Sequence, residues 1–439
     1  MTGRLVALAG RFERLPAVLG AAKLANVALA MGWGFVVTFV FVRLLPIGEF
    51  RTFLLLIAFA NFTVSAELGL TAIAYSRLRR DHVTRDGSFR AEELGALFWL
   101  LTAIILAGAV LIGGAIATGF IATRYPLLFI TFYAVSAINL LTTLARRALA
   151  ALDHNLWWEA LDFLRRTSGI ALLLISLLGL PILDAVLAQL VIALLVLWIG
   201  LATIQRSLAM RWRQWLGVRA GAAHVRAHYL ADFGRTGALT LFDVAAYNAP
   251  YFTIAAATHD PRPLLLFDFV FKMSRALSAV VRAFVETWLP GLTRAYFGGE
   301  ARAFQRSLVR LAAMALAVSL VAALAIALIG KPLAGLLFDG KIMLEQTEIA
   351  MIMLLLPALG VICISVYLQT GLGRFGALVG PSFTFLVGSL ASVPIALALQ
   401  PMMEGALSQM FIMIYAVVHL ILALVHGRML RRLGKGVPA

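Results

Sequence analysis

Five charged residues share one stripe of an otherwise apolar segment, residues 266–288: Asp268, Lys272, Arg275, Arg282 and Glu286. Each residue of an α-helix advances about 100° around the axis, so the five side chains fall within an arc of about 80°. The segment is long enough to cross a bilayer. Because charged groups are costly in hydrocarbon, the stripe must face protein or water.

The chemistry that suits this stripe is anion binding. A guanidinium binds phosphate oxygens at two points while an ammonium is a compact point charge, so Lys272, Arg275 and Arg282 are candidate ligands for a diphosphate. Asp268 and Glu286 stand at the i,i+4 spacing that pairs with Lys272 and Arg282, and both acids are candidates for ion coupling. The alternative is that these ion pairs only let a polar helix pack within a bundle.

Four further residues join the candidate site. Glu67 and Asp243 are carboxylic acids within apolar segments and are candidates for ion coupling, because low dielectric favours the protonated form of a carboxyl group. A structural hydrogen bond to a neighbouring helix is the alternative for each of them. Lys23 and Asn26 lie at i and i+3 in the first apolar segment and are expected to line the same cavity, unless Lys23 snorkels to the interface.

The elements that must position these residues are membrane helices. Of the 439 residues, 62% are hydrophobic and only 13% are charged, with a mean hydropathy of +0.95. A bilayer core of about 30 Å needs roughly 20 apolar residues per helix. The sequence predicts an all-α integral membrane protein with twelve spans, near residues 20–42, 53–75, 95–119, 127–145, 167–181, 185–204, 236–257, 264–288, 308–330, 349–372, 376–399 and 407–426.

The distribution of basic residues predicts the topology. The net charge of +16 would suggest nucleic acid in a soluble protein, but most of the 37 basic residues fall in alternate connecting segments. This is the pattern of the positive-inside rule, and it predicts that both termini are cytoplasmic. We therefore expect membrane lipids rather than nucleic acid as partners.

The predicted spans divide into two equal sets. Residues 1–204 form an N-terminal six-helix half, residues 205–235 a basic amphipathic cytoplasmic linker, and residues 236–439 a C-terminal six-helix half. Two pseudo-symmetric bundles around a central cavity are the expected architecture. The linker, with Trp212 and Trp215, and the segment 146–166, with Trp157 and Trp158, have the composition of interfacial helices that lie against anionic lipid.

We expect no metal, cofactor or catalytic site. The chain has one cysteine, Cys363, which excludes every multi-cysteine metal motif. His224 and His228 stand at i,i+4, but a histidine pair on a basic linker is most often unliganded. The predicted outside loops are too short for a catalytic domain, which argues against a membrane-embedded glycan-processing enzyme.

Two stretches resemble a known family. They are LLPIGEFRTFLLLIAFANFTVSAELGLTAIAYSRLRR (44–80) and LPGLTRAYFGGEARAFQRSLVRL (289–311). With twelve spans in two halves, the chain resembles the polysaccharide-type flippases of the multidrug/oligosaccharidyl-lipid/polysaccharide exporter superfamily. The resemblance implies a protein of the bacterial inner membrane that moves an undecaprenyl-diphosphate-linked oligosaccharide by alternating access, for surface polysaccharide biosynthesis.

The basic residues of the stripe suit the diphosphate group of that implied substrate. H⁺ or Na⁺ is the expected coupling ion if transport is coupled, and a polysaccharide polymerase or ligase is the expected partner protein. The principal alternative is a drug/cation antiporter on the same fold, of the MATE (multidrug and toxic compound extrusion) kind. Such an antiporter would need unpaired acids inside the membrane, which would move attention to Glu67 and Asp243.

Overall fold

The computed structural model describes residues 16–84, 87, 89–403 and 406–435, in which every regular element is an α-helix. The predicted cytoplasmic ends, residues 1–15 and 436–439, lie outside the described residues. The helices are α1 Pro16–Leu44, α2 Ile47–Ser65, α3 Leu70–Thr84, α4 Ala91–Ala117, α5 Pro126–Ala137, α6 Asn139–Ala151, α7 Asn155–Ser176, α8 Ile182–Ser207, α9 Trp212–Trp215, α10 Val218–Ala257, α11 Arg262–Phe297, α12 Ala301–Leu337, α13 Gln346–Gly371, α14 Phe375–Met403 and α15 Leu407–Lys435.

Nine helical segments within the described residues are long and apolar enough to cross a membrane. They overlap nine of the twelve predicted spans. Of the other three predicted spans, 236–257 and 264–288 lie within α10 and α11, and 167–181 begins in α7 and runs past its end at Ser176. These three helices are not among the nine apolar segments. Helices α7, α10 and α11 also contain Asp162, Asp243 and the charged stripe, respectively.

The chain folds as two compact units, Met1–Leu241 (unit 1) and Phe242–Ala439 (unit 2). The boundary lies within α10, so the first part of that helix belongs to unit 1 and the last part to unit 2. The predicted division into two six-helix halves joined by a separate linker stays a prediction.

Aromatic stacking and close helix contact build the core of unit 1. Phe41 of α1 stacks on Phe53 of α2 with ring centroids 4.0 Å apart, and Phe132 of α5 closes on both rings edge-on. Elsewhere Trp158 of α7 is buried against Gly200 of α8, where a side chain would leave no room for the indole ring. The sequence predicted Trp158 as an interfacial residue, but the structure places it inside the unit because α8 offers a glycine.

The second predicted span is interrupted. Helix α2 ends at Ser65, and α3 begins at Leu70 after a turn in which Leu68 and Gly69 have φ values of +48° and +85°. A positive φ is costly for a leucine, so the turn must be held by its surroundings. Glu67 contributes, because its carboxylate accepts the Thr71 backbone N–H at 3.1 Å and also the Thr71 hydroxyl.

Within unit 1, a buried carboxylate of α4 joins the first part of α10 to α3 and α4. Glu93, at the start of α4, is fully buried and accepts hydrogen bonds from Arg77 of α3 at 3.3 Å and from the Tyr229 hydroxyl at 2.8 Å. His224 lies 3.0 Å from the same carboxylate. Burial, reinforced by the charge of Glu93, raises the pKa of the Tyr229 hydroxyl, which therefore remains a proton donor.

The linker also packs on α4 instead of lying free on the membrane surface. Trp215 is buried against Phe98, and its carbonyl accepts the Trp99 indole N–H at 3.0 Å. Gly221 lies so close to the Glu92 backbone that a Cβ would clash. The interfacial prediction therefore differs from the structure for Trp215, while Trp212 is exposed.

In unit 2, helix α13 packs against α11, α12 and α15. One guanidinium ties the first turns of three of these helices together. Arg262 of α11 donates to Glu345 at 2.6 Å, to fully buried Glu348 of α13 and to the Ser408 hydroxyl of α15 at 2.5 Å. Because several charge-assisted hydrogen bonds meet at this point, it fixes the spacing of the three helices.

The contact between α4 and α5 provides a test of the packing in unit 1. A Cβ on Gly108 would lie 1.9 Å from the Tyr133 hydroxyl, which donates to Thr63 and to the Ile105 carbonyl. We expect Gly108→Ala to lower the free energy of unfolding by about 1–3 kcal/mol. Gly113→Ala, on the same helix, meets nothing within 4 Å and should be neutral or slightly stabilising.

Thermal unfolding in detergent micelles measures both Gly variants. Equal melting temperatures for the two variants would contradict the packing described for Tyr133.

Candidate functional site

The charged stripe lies on one continuous helix. Helix α11 runs from Arg262 to Phe297 and includes all five residues, as the spacing predicted. Both predicted i,i+4 ion pairs are present, Asp268 with Lys272 and Arg282 with Glu286. Exposure rises along the helix, from 1% for the Asp268 side chain to 58% for Glu286. The stripe is therefore not one uniform surface.

The buried end of the stripe is a closed polar network. Asp268 accepts a 2.7 Å hydrogen bond from the Tyr251 hydroxyl through one oxygen and pairs with Lys272 through the other. The Lys272 side chain is only 10% exposed. Because Asp268 neutralises it, Lys272 is less available to an anion than the sequence suggested.

The middle of the stripe carries a cation of a different kind. Arg275 is exposed, and its guanidinium lies over the Phe271 ring, 5.4 Å from the centroid. In the described part of unit 2, no carboxylate forms an ion pair with it. A guanidinium without an ion-pair partner can bind an anion without breaking an ion pair, and a binding role for Arg275 stays a prediction.

The far end of the stripe is an exposed ion pair. Arg282 donates to Glu286 at 2.7 Å, and both side chains are more than half exposed. The guanidinium also lies 5.8 Å from the centre of the Tyr367 ring. Such a pair contributes little to stability, and its position agrees equally with substrate contact and with snorkelling to an interface.

Asp243 is the intramembrane acid with the simplest surroundings. It lies on α10 within unit 2, is half-buried, and bonds to the Ser382 hydroxyl of α14. Among the described residues no basic side chain forms an ion pair with Asp243. A carboxylate held by a hydroxyl rather than a cation can take up a proton or a metal cation without breaking an ion pair.

The remaining predicted site residues belong to unit 1. Glu67 caps α3 as described above, so its position has a structural explanation. Asn26 of α1 is buried and donates to both the side chain and the backbone carbonyl of Glu159 on α7, at 2.6 and 2.8 Å. Lys23, one turn earlier, is exposed. Roles for these three residues in binding or coupling stay predictions.

Sequence reasoning missed a second polar network in unit 2. On α13, Gln369 donates to the Ser365 hydroxyl at 2.8 Å, and His426 of α15 lies 2.9 Å from the same hydroxyl. His419, seven residues before His426 and so on the same face of α15, is fully buried. An ionisable histidine within an apolar span was the available signal.

No protein-family model matches the chain, and no curated protein sequence matches it. Solved structures do match over nearly its whole length. The Vibrio cholerae MATE transporter VcmN in the bent form is 15% identical, with a TM-score of 0.57, and 98% of each chain is covered. A substituted MATE protein is 13% identical, with a TM-score of 0.64 over 95% of this chain and 96% of that one.

A third match is the inward-facing conformation of a multidrug resistance MATE family transporter of the MOP superfamily. It is 15% identical, with a TM-score of 0.58 and 96% of each chain covered. These likenesses confirm the predicted fold class, an all-α membrane fold with twelve spans in two bundles. The matching structures are MATE transporters, so the narrower resemblance to polysaccharide flippases is not supported by them.

The two ion pairs of α11 have the same i,i+4 spacing but differ in burial, so their contributions to stability can be compared. Asp268→Ala leaves the Lys272 charge without its partner in a nearly buried position, so we expect a loss of about 3–5 kcal/mol in the free energy of unfolding. Glu286→Ala breaks an exposed pair and should cost less than about 1 kcal/mol.

Denaturation in detergent, followed by tryptophan fluorescence, measures both losses. The double variant Asp268→Asn with Lys272→Met should recover most of the stability lost in Asp268→Ala. Similar losses for Asp268→Ala and Glu286→Ala would show that burial does not separate the two pairs.

Proposed function

We propose that the chain is a membrane transporter that works by alternating access, and that it is an ion-coupled antiporter. The fold shared with MATE transporters supports this class of protein, and Asp243 is the observation that carries the coupling. An antiporter needs an acid that exchanges a cation during each cycle. Asp243 meets that need because a hydroxyl holds it in place and no basic side chain among the described residues neutralises it.

The mechanism follows from competition for one carboxylate. When H⁺ or Na⁺ occupies Asp243, the local charge is cancelled and the surrounding helices can adopt one packing. When the cation leaves, the negative charge in a low-dielectric site favours a different, wetter packing. Transport is coupled if the substrate binds better to one of these two states, since a ligand shifts an equilibrium only by its differential affinity.

Transport in proteoliposomes tests the role of Asp243. With a lipophilic cation such as ethidium as substrate and an imposed H⁺ or Na⁺ gradient, Asp243→Asn should reduce gradient-driven transport at least about tenfold, because the amide carries no exchangeable charge. Glu286→Gln is the matched control, since it removes an acid from an exposed pair of the same unit.

Ser382→Ala should have an intermediate effect in the same assay, because the carboxylate remains but loses its hydroxyl partner. Transport by Asp243→Asn at the rate of the unaltered protein, at equal abundance in the membrane, would contradict the proposed coupling.

Arg275 favours a second candidate, translocation of a lipid-linked oligosaccharide. An exposed guanidinium without a carboxylate partner in the described part of unit 2 suits a diphosphate better than it suits a cationic drug. In this case the bacterial inner membrane is the expected location, and the polyprenyl tail of the substrate would stay in the bilayer.

Lipid analysis of a deletion strain separates the two candidates. A flippase should leave a complete polyprenyl-diphosphate glycan to accumulate, and the Arg275→Ala variant should fail to relieve that accumulation while Arg282→Ala relieves it. If no such lipid accumulates and sensitivity to cationic drugs rises, the antiporter is supported instead.

A further inference from the structure

Four arginines lie on two helices of unit 1 and have no part in the proposed antiport. Arg146 and Arg147 lie on α6, and Arg165 and Arg166 lie on α7, three to four residues after Asp162. Arg146 interacts electrostatically with both helices, with repulsion from Arg147 and Arg166 and attraction to the carboxylates of Asp162 and Glu159. The six side chains therefore form one cluster, which we call the α6–α7 arginine cluster.

The carboxylate of Asp162 is already occupied by two of the arginines. Arg165 donates to one oxygen of Asp162 at 2.7 Å and to the Asn139 side chain of α6 at 2.9 Å. Arg166 donates to the other oxygen at 2.7 Å. The Asp162 and Arg165 side chains are only 8% and 11% exposed. This group is a packed pair of ion pairs that sets how α6 and α7 meet.

The second carboxylate is held by a different helix. Glu159 accepts the Asn26 amide of α1 at 2.6 Å. Neither Arg146 nor Arg147 forms an ion pair with a carboxylate in the described part of the chain. The Nε atom of Arg147 is buried and has no hydrogen-bond partner there. Arg146 is exposed, so the cluster is open to a ligand at this point.

The charge balance identifies the missing partner as an anion. The cluster contains four guanidinium groups and two carboxylates, an excess of two positive charges, and the buried Nε–H of Arg147 has no hydrogen-bond partner among the described residues. An unpartnered donor or charge in such surroundings is costly, and phosphate oxygens would supply acceptors to several guanidinium groups at once. A single carboxylate would offer fewer acceptors and half the charge of a phosphate monoester.

We propose that the α6–α7 arginine cluster binds a phosphate-bearing anion, with Arg146 and Arg147 as its ligands and Arg165 and Arg166 held ready beside it by Asp162. The phosphate group could belong to a free diphosphate or phosphate ester, or to the headgroup of an anionic lipid, because the ligating chemistry is the same. The site does not depend on antiport at Asp243, and its residues belong to unit 1, whereas the α11 stripe belongs to unit 2.

Titration calorimetry of the purified full chain in detergent tests the site with inorganic diphosphate as the probe. The unaltered protein should bind it, and binding should weaken as salt is raised. Arg146→Gln with Arg147→Gln should weaken binding at least about tenfold, since each lost charge-assisted hydrogen bond is expected to matter. Arg213→Gln with Arg219→Gln is the matched control, because it removes two exposed arginines of the linker and changes the net charge equally.

A variant that should tighten diphosphate binding distinguishes the loss of a ligand contact from misfolding. Glu159→Gln keeps the shape of the side chain but removes a negative charge that repels the ligand, so it should tighten diphosphate binding by about threefold or more. A role for the cluster in packing alone predicts no such gain. Absence of binding to the unaltered protein, or equal loss in the two double variants, would overturn the proposal.

Reconstitution separates the two sources of phosphate. Nanodiscs of phosphatidylcholine alone are compared with nanodiscs that also contain phosphatidylglycerol, and native mass spectrometry counts the retained lipids. Loss of diphosphate binding in phosphatidylglycerol discs, together with retained phosphatidylglycerol that Arg146→Gln with Arg147→Gln releases, assigns the site to a lipid headgroup. Unchanged diphosphate binding in both discs assigns it to a free phosphate ligand.

Discussion

Every charge placed inside a membrane helix must find a partner or water, and this constraint organises both units. Asp268 shows its strict form, because both of its oxygens are used, one by Tyr251 and one by Lys272. Asp162 shows the same solution in unit 1, with two guanidinium groups. Where the constraint is met, the charged residue fastens helices together. Asp243, Arg275 and Arg147 form no ion pair within the described residues, and the proposed roles in coupling and anion binding rest on these three groups.

Residue type alone does not distinguish a charge that joins helices from a charge that lacks an ion-pair partner. Glu93 is fully buried and Arg262 is partly buried, and each has several partners that join neighbouring helices. Among the described residues, Asp243 bonds to the Ser382 hydroxyl and pairs with no basic side chain, so its carboxylate is oriented without its charge being cancelled. The proposed coupling and the proposed anion site both rest on incomplete neutralisation, one of a negative group and one of positive groups.

Close contacts between the helices of unit 1 depend on glycine residues. Glycines at the contacts of α4 with α5 and of α7 with α8 let Tyr133 and Trp158 fill the interior of the unit. The turn at Leu68 and Gly69 is stabilised by Glu67 and divides the predicted span 53–75 into two helices, and a break at Ile138 likewise divides the predicted span 127–145.

From the sequence we could predict the all-α membrane class, most of the spans, the α11 stripe and its two i,i+4 ion pairs. These features depend on hydrophobic run length and on neighbours within one helix, which are local properties of the chain. Only the tertiary structure decided that Asp268 is buried while Glu286 is exposed, that Glu67 caps a helix, and that Trp158 packs inside unit 1. It also decided that the arginines of α6 and α7 share one cluster. Those outcomes depend on which helices meet, and contacts between helices far apart in sequence have no signature in residue spacing.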